Sequence, residues 1–205
     1  TLCILLGAAS PENLFDVERD SEKRRWLTEV VNENFGEACI YKEMADMGDM
    51  RAPCAVHQRR CPIPTGKAGP FLVSCGFSCK DISKANAKHQ SFKHGVRQKS
   101  GNTALSLLGF VEYCEHHKPP VGLCENVAEF VSADSSNWAE FVKLFFSIGY
   151  ACKYVILNAS NWVPQRRRRV YIIVLRLNYF GLTITEAGDI LEEMAKTAES
   201  LAFDK

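Results

Sequence analysis

The chain has 205 residues, 46% of them apolar and 24% charged, which fits one full-sized globular domain. Its formal net charge of +1 offers no global field for a polyanion, so a nucleic-acid surface has to come from local clustering. No apolar run approaches the roughly 20 residues of a membrane span, and the opening TLCILLGAAS lacks a basic n-region, so neither a membrane protein nor a secreted one is expected.

Residues 3–8 read as the end of a helix, stopped by Gly7 and Pro11. NLFDVERD follows as a short buried strand ending in acids. SEKRRWLTEVVNENFG has apolar residues at 26, 27, 30, 31 and 35, with Ser21 as N-cap and Gly36 as the stop, and predicts a helix. Residues 48–69 hold three prolines and three glycines and predict a connecting loop. PFLVSCG predicts a buried strand, residues 84–102 a polar loop, and TALSLLGFVEYCEHH an amphipathic helix. Then come strand PVGLCEN, helix SNWAEFVKLFFSIG, strands YACKYVILNA and RVYIIVLRL, and a closing amphipathic helix TITEAGDILEEMAKTAESLAF. This alternation predicts an α/β domain with a largely parallel sheet and flanking helices. Such sheets bind ligands at the C-terminal ends of their strands, where Glu18, Cys79 and Glu125 fall.

The nine cysteines are scattered and odd in number, which argues for reduced thiols rather than a disulfide framework. In CAVHQRRC, Cys54, His57 and Cys61 have the residue types of metal ligands. No C-x-x-C pair accompanies them, and no metal site is expected.

Three features carry chemistry in combination: Cys79 just past a strand, Glu125 and Asn126 at the end of LCENV, and the arginine run of VPQRRRRVYIIV entering a strand. Each alone has an ordinary explanation, since cysteines pack as small hydrophobes, a strand-end acid is usually solvated, and an arginine run is usually a surface patch. In this order and at these strand ends they resemble the DNA (cytosine-5) methyltransferases. GFSCKDIS resembles that family's Pro-Cys nucleophile motif, ENV its Glu-Asn-Val motif, and QRRRR its Gln-x-Arg-x-Arg motif. FDVERDSEKRRWL and IYKEMADM resemble its cofactor-binding segments.

The resemblance implies a Rossmann-like fold using S-adenosylmethionine, in a single partial catalytic domain over residues 1–205. Its core would span 5–175, and 176–205 would lead toward an absent recognition region. The expected reaction is methyl transfer to carbon 5 of cytosine in double-stranded DNA through a covalent bond between Cys79 and C6. Glu125, Arg167 and Arg169 would complete the catalytic set, with Glu125 protonating N3 and the arginines holding the base. Glu18 would take the ribose hydroxyls and Glu43 the adenine amino group, with Asp46 as the alternative if the alignment slips by a turn. Ser78 would adjoin the cofactor. Asn126 would also steady the nucleophile loop, and together with Gln165 it would face the nucleic acid. Between residues 82 and 111 the sequence has lysines and arginine but no acid, and Lys84, Lys88, Lys93 and Arg97 would meet phosphates there, on a mobile lid.

Departures from the family pattern are equally readable. The Gly-rich turn that cradles the methionine end of the cofactor is not found, so the fold would lack its first strand and these residues alone would bind cofactor weakly. Ser78 replaces the usual proline and Lys80 the common glutamine. Two alternatives therefore stay open: an inactive relative serving as a nucleic-acid or protein binding module, and an RNA cytosine-5 methyltransferase. The expected location is the nucleus in a eukaryote and otherwise the cytoplasm.

Overall fold

In this computed structural model the structure describes residues 15–35, 38–65, 71–92, 94–158, 160 and 167–203. The expected helical end at residues 3–8, Lys93 and Gln165 lie outside the described residues.

Strand β1 (Phe15–Val17) leads into helix α1 (Ser21–Phe35) and strand β2 (Cys39–Tyr41), and the two strands pair in parallel with Val17 opposite Tyr41. The cap of α1 is Asp20 rather than Ser21. Asp20 Oδ1 accepts the N–H groups of Glu22 and Lys23 at 3.0 Å each, the two donors that a first turn leaves without intrahelical partners.

A 3₁₀ turn (Met44–Gly48) follows, and then, where the sequence predicts only a loop, a small antiparallel hairpin of β3 (Arg51–Pro53) and β4 (Arg60–Pro62). Each strand has three residues and contains a proline, which masks strand character in a sequence. The hairpin forms because alternate residues are buried: Ala52, Cys54, Cys61 and Ile63 are all at most 3% exposed.

The main sheet has β5 (Leu72–Gly76), β6 (Val121–Val127), β7 (Tyr150–Asn158) and β8 (Arg168–Arg176), in spatial order β5-β6-β8-β7. β5 and β6 are parallel, and β8 runs antiparallel to both its neighbours. The β7–β8 connection is too short for a crossover helix, so β8 must return antiparallel. β7 runs in the same sense as β6, so three of the four strands are parallel.

Successive residues of the strands face opposite layers. Tyr150 and Val174 join the main core, while their neighbours Ala151 and Leu175 join a second cluster. The main core is covered by helices α3 (Gly101–His117) and α4 (Asn137–Ser147), whose Phe110, Phe141 and Phe145 are fully buried. Each of these rings contributes about 1.5–3 kcal/mol through burial. The second cluster is covered by α6 (Ile184–Phe203), which follows the short α5 (Leu177–Phe180) and contributes Ala187 and Leu191. Thr183 and Glu186 form a reciprocal capping box that starts α6.

The β1–β2 pair shares the main core through Phe15, whose ring lies 5.8 Å from that of Tyr41 and 5.9 Å from that of Tyr113 on α3. Gly109 lets α3 approach the Met44–Gly48 turn, where a Cβ would lie 3.0 Å from backbone atoms of Met44 and Ala45. All described cysteines are free thiols. No helix among the described residues is long and apolar enough to cross a membrane.

Candidate active site

The β5–β6 register sets Gly76 beside Glu125, and the β6–β8 register sets Val127 opposite Arg169. Glu125 and Arg169 are thus diagonal neighbours on one face, within reach of long side chains. Arg169 Nε lies 2.9 Å from Glu125 Oε1, and Arg167 Nη2 lies 3.9 Å from the same oxygen. Glu125 Oε2 is on the Gly76 side, 3.9 Å from where a Cβ on that glycine would lie. The Arg167 backbone is steadied by its N–H bond to Asn158 Oδ1 at the end of β7.

Cys79 stands three residues beyond Gly76, so its Cα is at most about 11 Å from that of Gly76. The intervening loop is fixed rather than loose. The Phe77 ring is buried against Phe130, 5.1 Å away, and the Phe77 carbonyl accepts from Asn126 Nδ2 at 2.9 Å. Ser78 N–H donates to Ser106 Oγ on α3 at 2.9 Å, and the Cys79 carbonyl accepts from the Ile82 and Ser83 N–H groups. Cys79 itself is half-buried.

Asn126 is 1% exposed, and its oxygen also accepts the Val127 N–H. Its amide nitrogen and oxygen both bond within the protein, which makes it an anchor of the Cys79 loop, and its burial leaves it little surface for the nucleic-acid contact expected from the sequence. Ser78 likewise commits its N–H to α3, and its hydroxyl accepts the Lys80 N–H at 3.4 Å.

Cys75, half-buried as a residue like Cys79, packs against the core from β5, and burial pushes its thiol up to about 12. Burial also raises Cys114 and Cys124 well above an ordinary thiol, so these three hold their protons at neutral pH.

The segment after Cys79, expected as a mobile lid, makes contacts at several points. Asp81 is 6% exposed and accepts the Thr103 N–H at 2.7 Å, capping α3 from outside its own helix. A 3₁₀ turn (His89–Phe92) and helix α2 (Gly95–Gln98) then dock on α4, where Asn137 accepts the Val96 N–H and donates to the Phe92 carbonyl. His94 Nδ1 bonds Ser136 Oγ, and Lys84 pairs with Glu129 at 3.4 Å. Lys84, Lys88 and Arg97 remain solvent-exposed on this scaffold. Asp81 and Asn137 were not singled out in the sequence, because each acts on a segment 22 and 41 residues away respectively.

On the cofactor side, Glu18 and Glu43 follow the C-terminal ends of the adjacent parallel strands β1 and β2. Glu18 Oε1 accepts the Asp20 N–H, and Glu43 meets Arg19 in an exposed pair at 3.5 Å. Asp46 sits on the turn beyond. Two carboxylates at this edge are acceptors of the kind a ribose diol and an adenine amino group require.

Residues 15–198 match the family model of C-5 cytosine-specific DNA methylase. Among curated proteins, the chain is 23% identical over 191 residues to the DNA (cytosine-5-)-methyltransferase DMT5 of Cryptococcus neoformans var. grubii, covering 93% of this chain and 7% of that protein. It is 33% identical over 100 residues to the type II methyltransferase M.HhaI of Haemophilus parahaemolyticus, covering 47% of this chain and 31% of that protein. The chain therefore spans under a third of the length of either relative. Among solved structures, Spodoptera frugiperda DNMT2 aligns with a TM-score of 0.51 at 18% identity, over 83% of this chain and 44% of that one. The S. pombe Dnmt2 methyltransferase aligns with a TM-score of 0.50 at 16% identity, over 85% and 44%. These two alignments show a shared Rossmann-like methyltransferase fold.

Proposed function

Since the chain belongs to the C-5 cytosine-specific DNA methylase family, we propose that it supplies the catalytic centre for methyl transfer from S-adenosylmethionine to carbon 5 of cytosine in double-stranded DNA. The observation that carries this reading is the Glu125–Arg169 pair, set beside the end of the strand from which the Cys79 loop departs.

The chemistry assigns each residue type a task. Carbon 5 of cytosine is a weak nucleophile. When the Cys79 sulfur bonds to C6, the C5–C6 double bond opens and its electrons move into the ring. N3 takes a proton from Glu125, and C5 becomes an enamine-like carbon. Arg169 holds Glu125 Oε1, so that Oε2, on the Gly76 side, is the oxygen presented toward the base. Arg167 adds positive charge near the base O2. After C5 has gained the methyl group, its proton passes to water, the C5–C6 double bond reforms as the Cys79 sulfur leaves, and the N3 proton returns to Glu125, which closes the cycle.

S-adenosylmethionine, when bound, supplies an electrophilic methyl group. Glu18 would accept from its ribose hydroxyls and Glu43, or Asp46, from its adenine amino group. A duplex hides C6, so the target base has to leave the stack. Lys84, Lys88 and Arg97, exposed on the segment that follows Cys79, would supply phosphate contacts that need charge more than shape. Lys93 and Gln165 are assigned the same face from the sequence alone.

The test uses the polypeptide as its cells make it, with S-adenosylmethionine and a duplex containing 5-fluorocytosine. Fluorine cannot leave as a cation, so the intermediate is trapped as an adduct. Cys79→Ser should abolish the adduct, Cys75→Ser should leave it, and Glu125→Gln should slow it by about 10²-fold or more. Equal yields from the two cysteine variants, or no adduct from the unsubstituted protein, would overturn the reading. An adduct with RNA but not with duplex DNA would overturn the substrate.

A further inference from the structure

Four residues outside the methyl-transfer site converge at the base of the small hairpin. Cys39 begins β2, Cys54 follows β3, His57 lies in the hairpin turn, and Cys61 is in β4. Their candidate ligand atoms all lie within 4.8 Å of one another. His57 Nδ1 is 3.6 Å from Cys39 Sγ and 3.3 Å from Cys54 Sγ. Cys54 and Cys61 are 1% and 3% exposed, and no disulfide joins any of the three thiols.

From this geometry we propose that Cys39, Cys54, His57 and Cys61 form a structural zinc site. A tetrahedral Cys3His zinc has Zn–S bonds of about 2.3 Å and Zn–N bonds of about 2.0–2.1 Å, which sets the S···N edges near 3.6 Å and the S···S edges near 3.8 Å. The two sulfur distances from His57 Nδ1, 3.6 and 3.3 Å, are close to the first of these edges, and all four ligand atoms lie within 4.8 Å of one another. Its four ligands all come from the protein, the closed arrangement of a structural rather than a catalytic zinc. Soft thiolates with one imidazole select zinc over calcium or magnesium.

β2, β3 and β4 have three residues each, and β2 meets the hairpin through the Tyr41–Cys54 bridge and the Ala55 N–H bond to the Ile40 carbonyl; a metal would add a cross-link to the burial that holds elements this short. Gln58, at φ 53°, takes the left-handed turn that brings His57 back over Cys54. The Cys54-x-x-His57-x-x-x-Cys61 spacing was visible in the sequence, but Cys39 joins only through the pairing of β2 with the hairpin.

Zinc here would pin the hairpin to β2 and stiffen the approach to Glu43, leaving the Cys79 loop untouched. The test is elemental analysis of the purified protein after exhaustive dialysis, followed by cobalt(II) exchange. About one zinc per chain is expected, and cobalt should give the ligand-field and thiolate charge-transfer bands of a tetrahedral sulfur-rich site. Cys61→Ser and His57→Ala should lose the metal. His57→Cys should retain zinc and shift the cobalt bands, which separates ligation from a general folding defect. Cys75→Ser should keep full zinc content. A folded protein with under about a tenth of an equivalent of zinc and no cobalt bands would overturn the site, as would full zinc retention in both His57→Ala and Cys61→Ser.

Discussion

Asn126 donates its side-chain N–H to the carbonyl of Phe77 across 2.9 Å, and with that bond the end of β6 holds the start of the Cys79 loop. Both residues are buried, so no water stands ready to replace the bond. Asn126→Ala leaves the Phe77 carbonyl unsatisfied and should cost about 1–3 kcal/mol, read from urea unfolding. Asn126→Asp keeps the acceptor for Val127 N–H but sets a carboxylate oxygen against the Phe77 carbonyl, and it should be at least as damaging. In both variants the adduct rate at Cys79 should fall even at temperatures where the protein stays folded. An Asn126→Ala variant with unchanged stability and rate would refute the anchoring role.

The far side of the same loop depends on Asp81 and Gly101. Gly101 has φ 82°, and a Cβ there would lie 2.6 Å from Asp81 Oδ2 and 2.9 Å from the Phe92 ring. Gly101→Ala therefore combines backbone strain with displacement of the group that caps α3, and each contribution is about 1 kcal/mol or more. Asp81→Asn keeps an acceptor for the Thr103 N–H but loses the negative charge at the helix N-terminus, and it should cost less, about 0.5–1 kcal/mol. The expected ranking is Gly101→Ala worse than Asp81→Asn in thermal or urea unfolding. The reverse order would mean that the loop packs differently around residue 101.

The long elements were legible in the sequence because their periodicity is strong. α3, α4, β6, β7, β8 and α6 all begin and end within two residues of where apolar spacing puts them. Contacts between distant segments were not legible. The three-residue strands β3 and β4 carry prolines and draw their stability from burial of Ala52, Cys54 and Cys61, which composition reads as loop. Asp81 looked like one more polar loop residue, and only the fold reveals it as the cap of α3. Glu125 and Arg169 were named from motifs, but their 2.9 Å contact depends on the antiparallel β6–β8 register, a pairing of non-consecutive strands that no motif states. Asn126 falls between the two: its motif suggested that it steadies the Cys79 loop, as its bond to the Phe77 carbonyl does, but only the fold shows how deeply it is buried.

The thiols provide a pH test whose sign follows from burial. Desolvation disfavours the thiolate, so Cys75 is raised to about 12 and Cys124 well above its ordinary value, whereas an unfolded cysteine titrates near 8.5. With the folded value raised, the stabilising contribution is fully present below about 8.5 and is lost as pH rises toward the folded value, because the unfolded chain releases protons that the folded chain keeps. The urea midpoint should therefore fall steadily between about pH 8.5 and pH 12, and a Cys75→Ala variant should show a shallower fall. The same burial predicts which sulfur reacts. In the native protein at mildly alkaline pH, iodoacetamide should modify Cys79 before Cys114 and Cys124, which are buried, and before Cys75, which is half-buried like Cys79 but whose thiol is raised, since alkylation needs both access and thiolate. Peptide mapping by mass spectrometry reads the order directly, and duplex DNA should slow labelling of Cys79 alone. Labelling of Cys75 at the rate of Cys79 would mean that the β5 edge opens in solution, and that Cys79 is not distinguished from its neighbour by the physics that the catalytic assignment requires.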